Sequence, residues 1–199
     1  MKEVPSGLNQ RIAGRVRELR AAHGLSLDAL ATKSGVSRSM ISLVERGESS
    51  PTAVVLERLA AGLGVILASL FDPPAAGAQA PGGPVARRAD QPQWRDPASG
   101  YFRRNVSPPG VLQPMQIVEV HFPPGGRVAF ETGARDTRVY QQVWVLKGAM
   151  DITVGKERHH LREGDCLAMQ LDRPTMFHNR TRKPARYVVV VASEILSKR

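Results

Sequence analysis

Ser37, Arg38, Ser39, Ser42 and Leu43 lie close together in the stretch SGVSRSMISLVERGESSPT, residues 34–52. On a helix they project from one side, because Ile41 and Val44 take the opposite stripe. The set joins short hydroxyls, one forked cationic donor and one apolar contact. The major groove of duplex DNA offers partners for each: arginine pairs with the two acceptors of guanine, and apolar carbon meets a thymine methyl. Ser26, Ser37 and Arg46 are candidates for phosphate, the serines because they open helices. A polar helix face without such partners is merely solvated, so the surrounding elements decide between the two readings.

Those elements are helical from residue 8 to residue 71. Leu8, Ile12, Val16 and Leu19 form one stripe that stops at Gly24. Ser26 is placed to cap a second helix ending at Gly35, and Ser37 a third ending at Gly47. SPTAVVLERLAAGLG adds a fourth, with Ser50 as cap and Pro51 at the first helical position. VILASLF is read as a short fifth helix. The two helices joined by SGVS have helix-turn-helix size, with Leu30, Ala31, Val36, Ile41 and Val44 filling the angle between them.

Residues 8–71 resemble the Cro-type (XRE) helix-turn-helix of phage repressors and bacterial regulators. LRAAHGLSLDALATKSGVSRSMISLVERGESSPTAVVLERLAAGLGV carries the likeness, and ERGESSPT is its most specific part. The resemblance implies a third helix in the major groove, with Arg38, Ser39, Ser42 and Leu43 reading bases. It also implies a structural ion pair between Arg20 and Glu45. Leu27 stands where many relatives have glutamine.

Pro, Ala and Gly dominate from residue 72, and residues 72–100 are read as a linker. From 101 to 195 the apolar period becomes two, in MQIVEVHF, VYQQVWVL, MDITVG, CLAMQL and YVVVVAS, separated by turn signals. Short strands at this spacing indicate a small β-barrel or sandwich. Cys166, the lone cysteine, excludes an internal disulfide and is read as a small core residue; Trp144 and Phe130 are read as core too.

VWVLKGAMDI and LREGD give this half the look of a cupin, a jelly-roll-like barrel. Carried over by spacing, the metal-ligand positions of such barrels fall on Arg135, Gln141 and Thr175. An amide and a hydroxyl are poor ligands and an arginine repels a divalent ion, so no metal is expected. His159 and His160 are adjacent and face opposite ways on a strand, while His178 falls on the wrong face. What remains is a pocket of Gln141, Val143, Val145, Met169 and Thr175. There Arg135 either points inward, to clamp a carboxylate or sulfate, or lies on the rim beside Asp136.

Net charge is +10, split as +3 over residues 1–71 and +7 over the rest, which suits a polyanionic partner. The sequence leads us to expect neither an apolar leader nor a membrane-length span. The expectation is a cytoplasmic, non-enzymatic, homodimeric regulator with a double-stranded DNA operator, half-sites ~34 Å apart, and repression as the default. A small, possibly anionic effector would bind a cofactor-free barrel. The alternatives are a cupin enzyme with a DNA-targeting domain, or a DNA-binding protein whose cupin is only an oligomerisation scaffold.

Overall fold

Ser26, Ser37 and Thr52 each turn a side-chain oxygen onto a backbone N–H three residues later, of Ala29, Met40 and Val55, at 3.1, 3.3 and 3.4 Å. These caps start three of the helices in the computed structural model, which describes residues 7–72, 83–109, 114–131 and 137–195. The helices are α1 Gly7–Ala22, α2 Leu27–Ser34, α3 Arg38–Glu45 and α4 Ala53–Gly62. The cap of α4 is therefore Thr52 and not Ser50. Pro51 precedes it, buried, instead of opening the helix.

The expected fifth helix is a 3-10 turn, Leu67–Phe71. Gly64 sits at φ +70° just before it and a proline follows Asp72 in sequence, so the segment is bounded at both ends. Its Ala68, Leu70 and Phe71 are buried with Ile12, Val16, Leu30, Ile41, Val44, Leu56 and Leu59. Helices of 8 residues such as α2 and α3 are marginal alone, so this shared core holds them. α2 and α4 approach closely at Gly62, where an added Cβ would stand 2.8 Å from the Ser34 Cβ.

Asp72 closes this unit with a carboxyl that burial pushes up to about 6, against the pull of Arg15. The unfolded chain releases that proton near pH 3.8, so the folded state binds more protons between about pH 4 and 6. Stability from this group falls as pH rises through that window. Asp72→Asn is expected to raise the stability of the helical unit by about 1–2 kcal/mol at pH 7 and to change it little at pH 4. Thermal melts at the two pH values check this; an equal gain at both would assign the effect elsewhere.

The second half is antiparallel β throughout. Its strands are β1 Gln93–Arg95, β2 Phe102–Asn105, β3 Met115–Phe122, β4 Arg127–Phe130, β5 Thr137–Lys147, β6 Ala149–Val154, β7 Glu157–Arg162, β8 Cys166–Gln170, β9 Thr175–His178 and β10 Ala185–Ile195. They form a six-stranded sheet, β1-β2-β3-β10-β5-β8, and a four-stranded one, β4-β9-β6-β7. Val118, Val120, Phe122, Val143, Val145, Met150, Ile152, Phe177 and Tyr187 fill the space between them.

The sheet begins inside the stretch read as linker. β1 pairs with β2, and its Trp94 is buried edge-on to Tyr101 at 5.9 Å. Three residues are too few for a period to show, and Gln93 and Arg95 disguise the tryptophan. The main boundary between the two compact units of the chain accordingly falls at Pro92–Gln93. Cys166 is exposed rather than core, because β8 is an edge strand and Cys166 pairs with Trp144 on the outer side of the sheet. Trp144, expected in the core, is 50% exposed for the same reason.

Candidate nucleic-acid interface and barrel interior

α3 buries Ile41, Val44 and Glu45 and turns Arg38 and Ser39 fully outward, with Ser42 and Leu43 half-exposed. Gly35, at φ +65°, sends its N–H to the Ala31 carbonyl at 2.9 Å and reverses the chain into the α3 cap. Left-handed backbone of this kind favours glycine. The four side chains proposed for base edges thus share one accessible side of one short helix.

Ser26 and Ser37 act as caps whose oxygens accept from backbone N–H groups, which leaves the Ser26 hydroxyl proton free to donate to a phosphate oxygen. Ser37 Oγ also lies 3.2 Å from Ser39 Oγ. Arg46 is exposed and engages Ser42 Oγ and, at 2.8 Å, Glu48. That hydrogen bond holds the Glu48 carboxyl below its usual range.

Arg20 reaches from α1 to Glu45 at the end of α3, with Nε–Oε1 2.6 Å and Nη2–Oε2 2.9 Å, and its Nη1 donates to the Leu25 carbonyl at 2.9 Å. The hydrogen bond to Glu45 raises the Arg20 pKa above its ordinary value in spite of burial. Arg17 adds a hydrogen bond from Nη2 to the Glu45 carbonyl. Both arginines tie α3 to α1, which fixes the angle at which its outer side is presented.

Asp28 was not singled out in the sequence. Its Oδ1 lies 3.5 Å from Arg38 Nε, which biases the guanidinium toward one direction. An acid in the first turn of a helix is explained by the helix dipole alone, so type and spacing gave no separate signal.

In the barrel, β5 alternates cleanly. Val139, Val143 and Val145 are buried, Gln141 is half-buried on the same inner side, and Tyr140, Gln142 and Trp144 face out. Met169 pairs with Gln141 across the sheet, and Thr175, 5% exposed, lies on the inner side of the opposite sheet. Arg135 lies outside the described residues.

Two inner-facing polar residues were missed. Arg103 and Asn105 sit on β2 opposite Val120 and Val118, both buried, with Arg103 Nη2 donating to Asn105 Oδ1 at 3.3 Å. Tyr187 belongs to the same interior: burial drives its hydroxyl pKa well up, Tyr101 adds to that, and Arg103 opposes it. The segment FRRN has no apolar alternation to mark it as a strand, so nothing in the sequence turned Arg103 inward.

Cupin barrels imply a metal, and the donors here do not suit one. Gln141 and Thr175 offer a neutral amide and a hydroxyl where imidazole or carboxylate is needed. No group of three His, Cys, Asp or Glu among the described residues is placed to hold an ion. His159 and His160 lie within strand β7. His160 Nδ1 is 2.7 Å from Asp151 Oδ1, and Arg180 Nε is 2.9 Å from the other oxygen.

A helix-turn-helix family profile matches residues 16–68 and a cupin-domain profile matches residues 118–191. The chain joins an XRE-type helix-turn-helix domain to a cupin domain. The helix-turn-helix domain is similar to HTH-type transcriptional regulator SutR of Escherichia coli K12, 42% identical over 59 residues, 30% of this chain. The match spans 33% of that curated relative. Over 95% of this chain and 98% of the other, the structure resembles an HTH_3 family transcriptional regulator from Vibrio cholerae, at 26% identity and a TM-score of 0.75. The cupin domain of an XRE family regulator from Enterobacter cloacae is 14% identical over 46% of this chain and 95% of its own length, with a TM-score of 0.42. No helix among the described residues is long and apolar enough to cross a membrane.

Proposed function

We propose that this protein is a sequence-specific, cytoplasmic transcriptional regulator whose α3 reads operator half-sites and whose cupin interior senses a small anionic metabolite. The observation that carries the reading is the outer side of α3: Arg38 and Ser39 are exposed and Ser42 and Leu43 half-exposed beside them, on a helix anchored to α1 through Glu45. The likeness to a transcriptional regulator along nearly the whole chain supports it. The protein acts as a homodimer and represses by occupying its operator.

In the cupin domain, Gln141, Val143, Val145, Met169 and Thr175 line the proposed effector site, with Arg135 proposed on sequence grounds as either its clamp or a rim residue. Buried Arg103 supports the anionic character of the ligand, because a guanidinium inside a barrel favours negative charge nearby. The donor set supports sensing over metal-dependent catalysis.

Selection of bound fragments from sheared genomic DNA tests the first part. A shared pseudo-palindrome is expected, held at least 1000-fold more tightly than random duplex at physiological salt; equal retention of both overturns the reading. Repeating the binding with pooled amino acids and small carboxylates tests the second. Arg135→Ala should abolish any response while leaving effector-free operator affinity unchanged.

A further inference from the structure

The outer face of the six-stranded sheet holds large apolar side chains in water. Met115, Ile117, Tyr140 and Trp144 are 49, 37, 42 and 50% exposed, and strand register gathers them into one stripe. Met115 and Tyr140 flank Ala192 in one row, Ile117 and Val190 share the next, and Val188 lies beside Trp144 in the third. The first two rows carry no charge across β3, β10, β5 and β8. In the third, Glu119 is held by Arg104 and Arg186 at the stripe's edge.

At roughly 200 Å² per large side chain, these four leave on the order of 350 Å² of apolar surface exposed, a patch size that is often functional on a single chain. A standard interface removes about 800 Å² from each partner, a little over half of it apolar. The stripe and its flanking valines come close to that share.

We infer that this face is covered by the same face of a second copy of the chain. The neutral centre favours a copy of itself over an acidic partner on a protein of net charge +10, since it offers no cation to pair. Both ends of the stripe carry both signs: Arg138 registers with Glu194 at one end, and Glu119 lies with Arg104 and Arg186 at the other. The Glu119 side chain is 9% exposed, so Arg186 is the charge presented at its end, and a two-fold copy laid end over end brings Arg186 towards Glu194. The choice of a second copy also rests on the proposed DNA function, in which one 8-residue α3 reads only one half-site.

Sedimentation velocity of the full chain at about 50 μM tests the assignment, with Trp144→Glu to disrupt the face and Val85→Glu as a control. Val85 is 60% exposed and lies outside both sheets. The native chain should sediment at twice 21.7 kDa, Val85→Glu should match it, and Trp144→Glu should weaken association at least 100-fold, in line with loss of a central aromatic anchor. Should Trp144→Glu lose its thermal transition, Tyr140→Glu takes its place. A monomeric native chain, or a dimer indifferent to either substitution, overturns the assignment. Binding to a single half-site is read in parallel: a monomeric variant that still prefers operator half-site over random duplex separates failure of this interface from failure of DNA reading.

Discussion

Glu45→Ala is expected to destabilise the helix-turn-helix domain by about 3 kcal/mol, a fall in its melting temperature of roughly 12–24 °C for a unit of this size. Glu45 is 6% exposed, and its carboxylate takes two hydrogen bonds from Arg20. Removing the acid leaves a guanidinium in a site with little water, still tied to the Leu25 carbonyl. The loss is therefore the strandedness of Arg20 more than the worth of the pair. That distinction can be measured: Arg20→Met combined with Glu45→Leu should recover most of the loss, because two apolar groups desolvate without penalty. A single substitution costing under 1 kcal/mol, or a double as damaged as the single, would show that the pair does not anchor α3.

Arg38→Ala should weaken binding to the selected operator about 5- to 150-fold, ~1–3 kcal/mol, and relax preference at one base pair of each half-site. Arg46→Ala is the informative contrast. A phosphate contact should weaken all duplexes alike and lower the salt slope by about one ion. Fluorescence titrations over a salt series separate the roles. Unaltered sequence preference in Arg38→Ala would remove Arg38 from the reading set. Asp28→Ala is a useful companion, since loss of the carboxylate 3.5 Å from Arg38 should soften preference with little change in affinity.

Where hydrogen bonds are local, the sequence was readable. The Ser26 and Ser37 caps and the Gly35 reversal each involve residues within four positions, so type and spacing are enough to place them. Thr52 rather than Ser50 caps α4, and the Ser50 hydroxyl instead accepts a hydrogen bond from Asn9 Nδ2, 41 residues away, at 3.0 Å, which local spacing does not reveal. The 3-10 turn is not legible in sequence because LASLF has the apolar content of a helix, and composition does not distinguish the two pitches.

Periodicity in the chain by itself determined two domains, helical then β, and the outward set on α3, because alternation and helical spacing are properties of neighbouring residues. Pairing between distant strands is not. Only the tertiary structure turned Arg103 inward, put Trp144 and Cys166 on an outer face, and recruited Trp94 to the sheet. A strand's period says that its two sides differ; which side faces the barrel depends on the strand it is registered against, often tens of residues away.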